Sequence, residues 1–337
     1  MNYSFFGSTG LRMSRIAFGV QTFGWSVEEK DAFRLLDIYT GSGGNYIDVA
    51  DSYNDGKSEI ITGNWLKERG DRDSLLIGTK VFFPTGDGPN DSGLSRKHII
   101  DSVERSLRRL NTDYIDLYQL HCFDRMTPIE EINMTMDILI RDGKIRHYGL
   151  SNYTASSIVK TYYTSREQGF CQPSSLQLEY SLLVRSSEWE LLSVCGEYGL
   201  GILAWSPLSG GWLTGKYRRD KAVPADSRAG VGDRWDDNEK QRGGDTTWKI
   251  IDVLESVSQR TRRTISQMSL AWLMKKKPAV FPLIGARTEA QLTDNLGADD
   301  FVLSSDDEKL LDEASAVSEP YPYNFIERYS RKERTDV

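Results

Sequence analysis

Short apolar runs alternate with amphipathic segments along most of the chain. The runs are nearly continuous stretches rich in Ile, Val, Leu and Tyr, as expected for strands that are buried on both faces of a parallel sheet. The segments between them repeat apolar residues at helical spacing. In the segment 95–110, Ile99, Val103 and Leu107 share one face, and Ser95 is placed to cap the helix. The runs begin at Ile16, Tyr46, Leu75, Tyr114, Ile145, Ser175, Gly201 and Ala279, and the other predicted helices lie near 28–39, 58–68, 128–141, 155–167, 188–198 and 288–296.

These repeats add up to eight strand–helix units, which we interpret as one α/β domain over residues 1–337. Eight units in roughly 300 residues predict a closed (β/α)₈ TIM barrel, whose active site lies at the C-terminal ends of the strands. An open doubly wound sheet is the alternative, but no G-x-G-x-x-G follows an early strand. The turn-rich sequence YSFFGSTGLRMS predicts a β-hairpin within residues 1–15 that closes the barrel floor. Residues 297–337 are interpreted as a C-terminal tail.

One segment, residues 209–246, interrupts the alternation. It is polar, rich in Gly, Asp and Arg, and has no helical period, which is typical of functional or disordered loops. Because it follows the seventh run, we expect it to lie over the barrel mouth. It contains GGWLTGKY, residues 210–217, which fits the phosphate-loop pattern G-x-x-x-x-G-K, but Tyr217 stands where a magnesium-binding hydroxyl is needed. A nucleotide triphosphatase is therefore one alternative, although the seventh run ends in W-S-P-L.

Composition and charge narrow the class of protein. Hydrophobic residues make up 39% of the chain and charged residues 27%, which is ordinary for a soluble globular protein, and no apolar run approaches the ~18 residues that span a bilayer. The net charge of −7 argues against a nucleic-acid or membrane-surface partner. Three cysteines without metal-ligand spacing and a start without signal-peptide features predict a cytoplasmic protein. With three histidines in all, we expect no metal centre.

Four polar residues near predicted strand ends form a chemically coherent set. Lys80 interrupts an otherwise apolar strand, and a buried lysine needs a partner, for which Asp48 on the adjacent strand is available. A tyrosine with a pKa of about 10 is a poor proton donor near neutrality, but a nearby cation lowers that pKa, so that Lys80 can activate Tyr53. His121 can then orient a carbonyl oxygen toward the Tyr53 hydroxyl. The set predicts metal-free proton transfer to or from a carbonyl group.

Short motifs at the strand ends contain these residues. They are D-V-A-D-S-Y-N-D-G-K-S-E (48–59), G-T-K (78–80), L-Y-Q-L-H (117–121), G-L-S-N (149–152), Q-L-E-Y-S (177–181), A-W-S-P-L (204–208) and L-I-G-A-R (283–287). As an ordered set they resemble the aldo-keto reductase superfamily, most of all its longer bacterial-type members with an extended loop after the seventh strand. The likeness runs from Phe6 to about Asn295. It departs from many members at Val20 and Gln21, where Thr and then Trp or Met are common.

The resemblance implies an NADP(H)-dependent oxidoreductase that reduces an aldehyde or ketone, or oxidises the alcohol, as its small-molecule substrate. Hydride would pass from nicotinamide C4 to the carbonyl carbon while Tyr53, as general acid, gives its proton to the oxygen. Lys80 and Asp48 would set the pKa of Tyr53, and His121 would orient the carbonyl. The alternative function is a nicotinamide-cofactor-binding regulatory subunit with little turnover, since relatives of this fold serve as ion-channel auxiliary subunits.

The resemblance also implies where the cofactor binds, extended across the barrel mouth without a Rossmann fold and covered by the 209–246 loop. Arg287 can take a 2′-phosphate in a charge-assisted pair, which favours NADP(H) over NAD(H). The candidate walls of the substrate pocket are Gln21, Trp25, Tyr53, Phe82 and His121, with packing as the alternative role for Trp25 and Phe82. The residues implied in cofactor binding are Val20 and Gln21 after the first strand, Ser151, Asn152 and Gln177 at the carboxamide, Trp205 on the ring, Ser206, Pro207, Leu208, Gly210 and Lys216 at the pyrophosphate, and Gly285, Ala286, Arg287, Gln291 and Asn295 at the adenosine phosphate.

Overall fold

The computed structural model describes residues 1–219, 224 and 243–330 of the chain. Within these residues, eight parallel strands form one closed barrel, and each strand pairs with the next in chain order until the last pairs with the first. The predicted (β/α)₈ barrel is therefore confirmed. Its strands are β3 (Ala17–Gly19), β4 (Tyr46–Asp48), β5 (Leu76–Val81), β6 (Ile115–Leu120), β7 (Ile145–Ser151), β8 (Ser175–Glu179), β9 (Gly201–Trp205) and β10 (Val280–Ile284).

The first residues of the chain form the predicted hairpin. Strands β1 (Tyr3–Phe5) and β2 (Arg12–Ser14) pair antiparallel. The turn between them contacts the connection just before β9, because the Ser8 N–H donates to the Gly199 carbonyl oxygen at 2.7 Å. Glycine is required at position 7, where φ is +58° and a Cβ would lie 2.4 Å from the Gly199 oxygen. The hairpin thus covers the N-terminal ends of the barrel strands.

The helices predicted between the strands are present, with small differences at their ends. Ser95 caps α3 as expected, since its Oγ accepts from the His98 N–H at 3.3 Å. One helix, α6, is shorter than predicted because Ser186–Glu188 form a 3-10 turn before it. These helices are α1 (Glu29–Gly41), α2 (Lys57–Arg69), α3 (Arg96–Arg109), α4 (Ile129–Arg141), α5 (Ala155–Glu167) and α6 (Leu191–Tyr198).

Two helices that the sequence analysis did not predict lie between β9 and β10. They are α7 (Asp245–Thr261) and α8 (Ile265–Lys275), and the predicted helix near 288–296 follows as α9 (Glu289–Leu296). Thr264 begins α8 with a capping box, a pattern that was readable in the sequence as T-I-S-Q.

The loop and tail are more structured than predicted. Residues 209–214 of the loop form a 3-10 turn and residues 245 and 246 belong to α7, while residues 220–223 and 225–242 lie outside the described residues. The tail contains α10 (Ser305–Ala314) and α11 (Tyr323–Tyr329), and its residues 331–337 also lie outside the described residues. Ser304 accepts from the Asp307 N–H at 3.1 Å and caps α10.

Large side chains fill the inside of the barrel. Tyr46, Leu117, Leu203 and Phe281 are buried there and pack with Phe6 from the hairpin. The outward faces of the strands pack beneath the helices in a second, larger cluster. Because the lower half of the barrel is filled and covered, the open end is the one formed by the C-terminal ends of the strands. None of the described helices is long and apolar enough to cross a membrane.

Candidate active site

A cavity of about 920 Å³ opens at the C-terminal ends of the barrel strands. This is the end at which (β/α)₈ barrels carry their active sites. Residues at or just after the ends of all eight strands line the cavity, and examples in chain order are Gly19, Asp48, Phe83, His121, Ser151, Gln177, Trp205 and Ile284.

Lys80 lies beneath the cavity wall and forms hydrogen bonds with both Asp48 and Tyr53, as predicted. Its ammonium nitrogen donates to Asp48 Oδ2 at 2.5 Å, to the Val49 carbonyl oxygen at 2.7 Å and to the Tyr53 hydroxyl at 3.1 Å. The side chains of Lys80 and Asp48 are 0% and 1% exposed, so the ion pair lies in a region of low dielectric. All three donors of the ammonium therefore point at named acceptors, one of which is the proposed proton donor.

The second oxygen of Asp48 accepts from three neutral side chains. Tyr46 donates its hydroxyl at 3.0 Å, Gln119 its amide nitrogen at 2.9 Å, and Gln177 its amide nitrogen at 3.0 Å. All four residues are buried. A buried carboxylate is costly unless its lone pairs are satisfied, and here both oxygens of Asp48 are.

The pKa values of Lys80 and His121, the two titratable neighbours of Tyr53, are shifted in opposite directions. Burial acts to lower the pKa of Lys80, but the Asp48 carboxylate and Tyr53 outweigh it and raise that pKa above its ordinary value. The pKa of His121 is well below its ordinary value, because the ring is buried and Lys80 adds a nearby positive charge. At neutral pH Lys80 is therefore a cation and His121 a neutral imidazole.

Tyr53 and His121 lie side by side on the cavity wall. Their ring centroids are 5.9 Å apart, and the Phe83 ring packs edge-on against His121 at 4.8 Å. No described residue forms a hydrogen bond with His121 Nδ1, which is buried. A neutral imidazole has one N–H donor, so the pair presents a phenol and an imidazole to the same part of the cavity.

Asn54 connects the Tyr53 loop with the loop after β3. Its amide nitrogen donates to the carbonyl oxygens of Gln21 and Phe23 at 2.7 and 2.8 Å. Asn54 holds a left-handed backbone conformation, with φ of 52°, as residues near functional sites often do. Trp25, which follows in the connected loop, lines the cavity and is 47% exposed.

The predicted carboxamide-binding residues meet at the ends of β7 to β9. Asn152 donates its amide nitrogen to the His121 carbonyl oxygen at 2.9 Å and to Ser151 Oγ at 3.1 Å, and its amide oxygen accepts from Trp205 Nε1 at 3.2 Å. Asn152 and Ser206 have positive φ angles of 55° and 50°. These bonds fix Asn152 and the Trp205 indole next to His121.

The segment 206–216 forms a tight turn on another side of the cavity. The N–H groups of Gly211 and Leu213 both donate to the Leu208 carbonyl oxygen, at 2.9 and 3.2 Å. At Gly211 φ is +95°, and a Cβ there would lie 2.2 Å from Lys216 Nζ. Glycine at this position therefore allows the exposed Lys216 ammonium to lie against the turn, where it lines the cavity.

The far end of the cavity is built from the end of β10 and from α9. Gln291 Oε1 accepts from the Arg287 N–H at 2.9 Å, and Arg287 itself is half-buried. Asp294 is held from α8, because Thr264 Oγ1 and Gln267 Nε2 each donate to its carboxylate at 3.1 Å. This end therefore combines one cation with a carboxylate whose position is fixed.

The structure brings most of the predicted site residues together. Val20 and Phe82 are described but do not line the cavity; Val20 is fully buried in the core, and Phe83 takes the place expected of Phe82. Strand β5 ends at Val81, so the alternation that points Lys80 inward stops before Phe82. The predicted residues that line the cavity are Gln21, Trp25, Asp48, Tyr53, His121, Ser151, Asn152, Gln177, Trp205, Ser206, Pro207, Leu208, Gly210, Lys216, Gly285, Ala286, Arg287, Gln291 and Asn295.

Several lining residues were not predicted. Ser266 comes from the first turn of α8, a helix that the sequence analysis missed. Its signal was the capping box at Thr264, which marks the start of a helix in the sequence. The other additions include Thr22, Ser26, Ser52, Phe83 and Thr214, and no local pattern distinguishes these small or aromatic residues from packing residues.

Comparison with known proteins decides the family. The model of the Aldo/keto reductase family matches residues 15–316. The chain belongs to the aldo/keto reductase family. This aldo/keto reductase is therefore an NAD(P)H-dependent oxidoreductase, of a family that acts on small carbonyl substrates. Because its GGWLTGKY segment follows a strand of a closed barrel, the triphosphatase alternative is set aside.

Individual relatives cover nearly the whole chain. The aldo/keto reductase is 35% identical over 322 residues to the "Uncharacterized oxidoreductase YrpG" of Bacillus subtilis (strain 168). The matched region covers 93% of this chain and 95% of that protein. It is 34% identical over 305 residues to a "Probable voltage-gated potassium channel subunit beta" of Oryza sativa subsp. japonica. A protein of the same description from Arabidopsis thaliana is 33% identical over 305 residues. Both plant matches cover 90% of this chain and 92% of the relative.

Proposed function

We propose that this aldo/keto reductase reduces an aldehyde or ketone with NADPH and uses Tyr53 as the proton donor. The observation that carries the proposal is the position of Lys80. Its buried ammonium bonds both the Asp48 carboxylate and the Tyr53 hydroxyl, and Tyr53 lines the cavity. A cation in contact with a phenol oxygen stabilises the phenolate that proton donation leaves behind.

The residues present fit a nicotinamide dinucleotide. Gln177 and Asn152 present amide groups to the cavity, and Lys216 and Arg287 present cations to it. The cavity also has the size of a small-molecule or cofactor site. When bound, the cofactor supplies a hydride to the carbonyl carbon.

The side chains of the chain supply the proton and hold the oxygen. As the new C–H bond forms, the carbonyl oxygen takes the proton of Tyr53, and the electron pair of the broken O–H bond stays on the phenolate oxygen. Lys80 stabilises this charge at 3.1 Å. His121, neutral because of its lowered pKa, donates an N–H to the same carbonyl oxygen and places it next to Tyr53.

Arg287 supports NADPH over NADH as the preferred cofactor. It lines the end of the cavity away from Tyr53, where its guanidinium can form charge-assisted bonds with a 2′-phosphate. Asp294 lines the same end, but its carboxylate is occupied by donors from α8. The nearby negative charge is thus partly satisfied within the protein.

The proposal is tested by adding NADPH and a panel of carbonyl compounds to the purified protein. The panel should contain sugars, small aldehydes and aromatic ketones, since loops around the pocket decide the substrate. We expect NADPH to be consumed in equal amount to the alcohol formed. Binding of NADPH without consumption by any member of the panel would contradict the proposal.

Similarity to the two plant channel subunits supports a second candidate function, a cofactor-binding regulatory subunit with little turnover. The two functions differ in the rate at which the cofactor leaves. A regulator should release NADP⁺ more slowly than any carbonyl is reduced, so that one burst of reduction is followed by almost none. Steady turnover after the burst would favour the enzyme.

A further inference from the structure

We infer that Tyr46 and Gln119 are positioning residues of this active site. They hold the Asp48 carboxylate in the orientation from which it directs Lys80 toward Tyr53 and Gln177 toward the cofactor. The inference rests on the proposed function for its meaning in catalysis. It concerns residues that lie inside the barrel, below the cavity.

Tyr46 and Gln119 reach Asp48 from the interior of the barrel. Both are fully buried, and neither is among the described residues that line the cavity. Their donors lie 3.0 and 2.9 Å from Asp48 Oδ1. They therefore act on the reaction through Asp48, without contact with substrate.

The neighbouring strand leaves room for the Tyr46 hydroxyl. Gly78 is paired in register with Asp48, and a Cβ at Gly78 would lie 2.1 Å from the Tyr46 hydroxyl oxygen. A larger residue at position 78 would push that hydroxyl away. The glycine of the G-T-K motif thus allows the hydrogen bond between Tyr46 and Asp48.

Gln119 and Asp48 together set the direction of the Gln177 amide. The Gln177 amide nitrogen donates to Asp48 Oδ1 at 3.0 Å and to Gln119 Oε1 at 3.2 Å. Both N–H groups of the amide are then used within the protein, so Gln177 offers its oxygen to a ligand. Rotating the amide by half a turn would bring two oxygens together at Asp48. The network therefore makes Gln177 an acceptor for the N–H groups of a carboxamide.

The same donors limit how strongly Asp48 holds Lys80. Each neutral donor on Oδ1 stabilises part of the carboxylate charge, and the remaining charge attracts the Lys80 ammonium at Oδ2. Without the Tyr46 hydroxyl, Asp48 would attract Lys80 more strongly, and Lys80 would stabilise the Tyr53 phenolate less. Tyr53 would then be a weaker proton donor.

Tyr46→Phe tests this role, with Tyr39→Phe as its matched control. Tyr39 is also fully buried, and its hydroxyl bonds the carbonyl oxygens of Ile16 and Tyr46 at 2.9 and 3.0 Å instead of Asp48. The pH titration of Tyr53 is followed by NMR in cofactor-free protein with isotope-labelled tyrosine, and Tyr53→Phe assigns the signal. Apart from the substituted tyrosine, the titratable groups near Tyr53 (Asp48, Asp51, Lys80 and His121) are kept in both variants, as are the charged residues elsewhere on the cavity wall (Glu179, Lys216, Arg287 and Asp294).

We expect the Tyr53 titration midpoint to rise by about half a pH unit in Tyr46→Phe and to stay unchanged in Tyr39→Phe. We also expect kcat for carbonyl reduction to fall about fivefold in Tyr46→Phe, with KM for the carbonyl nearly constant. Equal Tyr53 titration midpoints and equal kcat values in Tyr46→Phe and Tyr39→Phe would overturn the inference. If Tyr46→Phe does not fold, Gln119→Leu replaces it. It should weaken NADPH binding about tenfold, because the Gln177 amide loses the Gln119 Oε1 acceptor and is held by Asp48 alone; unchanged binding would overturn the inference.

The titration also separates this inference from the proposed function. A wild-type protein that reduces no carbonyl would contradict the function. The Tyr53 midpoint in cofactor-free protein would still report whether Tyr46 acts through Asp48 and Lys80.

Discussion

At the Tyr53 end of the cavity, Asp48 is buried and bonded to the buried Lys80 and Gln177. At the other end, the charged side chains of Lys216, Arg287 and Asp294 are exposed or half-buried. Lys80 is fully enclosed and gives all three of its donors to Asp48, Val49 and Tyr53. The proton-transfer group is therefore complete in the protein alone. The opposite end presents cations at the surface of a cavity, where an anionic ligand can approach them.

Replacing one lysine at each end by methionine gives the largest contrast. Lys80→Met leaves the buried Asp48 charge without its cation, and we expect a loss of about 3–5 kcal/mol in the free energy of unfolding and roughly a thousandfold loss of turnover. Lys216→Met removes an exposed charge, so stability should change by less than about 0.5 kcal/mol while NADPH affinity falls about tenfold.

Denaturant unfolding, steady-state kinetics and NADPH titration measure these effects on both variants. Equal losses of stability in Lys80→Met and Lys216→Met would contradict the described difference in burial between the two ends of the cavity. Normal turnover in Lys80→Met would show that Lys80 does not assist proton donation by Tyr53.

Arg287→Ala sharpens the account of the far end. Removing a charge-assisted contact with the 2′-phosphate should raise the Kd for NADPH by roughly 10- to 100-fold. NADH lacks that phosphate, so its Kd should change by no more than about threefold. Titration of both cofactors by quenching of tryptophan fluorescence provides the comparison. An equal change for both cofactors would contradict the assignment of Arg287.

The smallest expected effect concerns Asp51, a buried carboxyl near the Tyr53 end that is 2% exposed. Burial, and then Glu59, raise the pKa of Asp51 well above its ordinary value. The folded state therefore binds this proton more tightly than the unfolded state, and the stability that it contributes is lost as pH rises from about 4 through the raised pKa.

Asp51→Asn removes this titration while keeping the shape of the side chain. We expect the variant to be more stable than wild type at neutral pH by about 1 kcal/mol, and the difference to vanish near pH 4. Denaturant unfolding over this pH range measures it. A difference in stability that is constant with pH would mean that the pKa of Asp51 is the same in the folded and unfolded states.

The pairing that a buried charged side chain requires was predictable from the sequence. A lysine inside an apolar strand requires an acid, and Lys80 with Asp48 followed from that need. The barrel followed from near-continuous apolar runs between helical segments, and each barrel strand lies within one of these runs. The polar residues after those runs were then candidates because barrel sites lie at strand ends.

What could not be predicted depends on where a strand stops and on which residues face each other across the barrel. Phe83 lines the cavity instead of Phe82 because β5 ends at Val81. The contact of Tyr46 with Asp48 depends on the space above Gly78, which appears only when the two strands are in register. Helix α8 was not predicted, although the capping box at Thr264 that begins it is readable in the sequence.

The role of Tyr53 as proton donor is tested by Tyr53→Phe, with kcat for carbonyl reduction and Kd for NADPH measured on the same preparation. The phenol hydroxyl is the proposed proton donor, and the predicted cofactor residues from Gln177 to Asn295 are untouched by this change. The account predicts that turnover falls by at least about a hundredfold while the Kd for NADPH stays within about threefold of wild type. Turnover that persists in Tyr53→Phe would show that another group donates the proton.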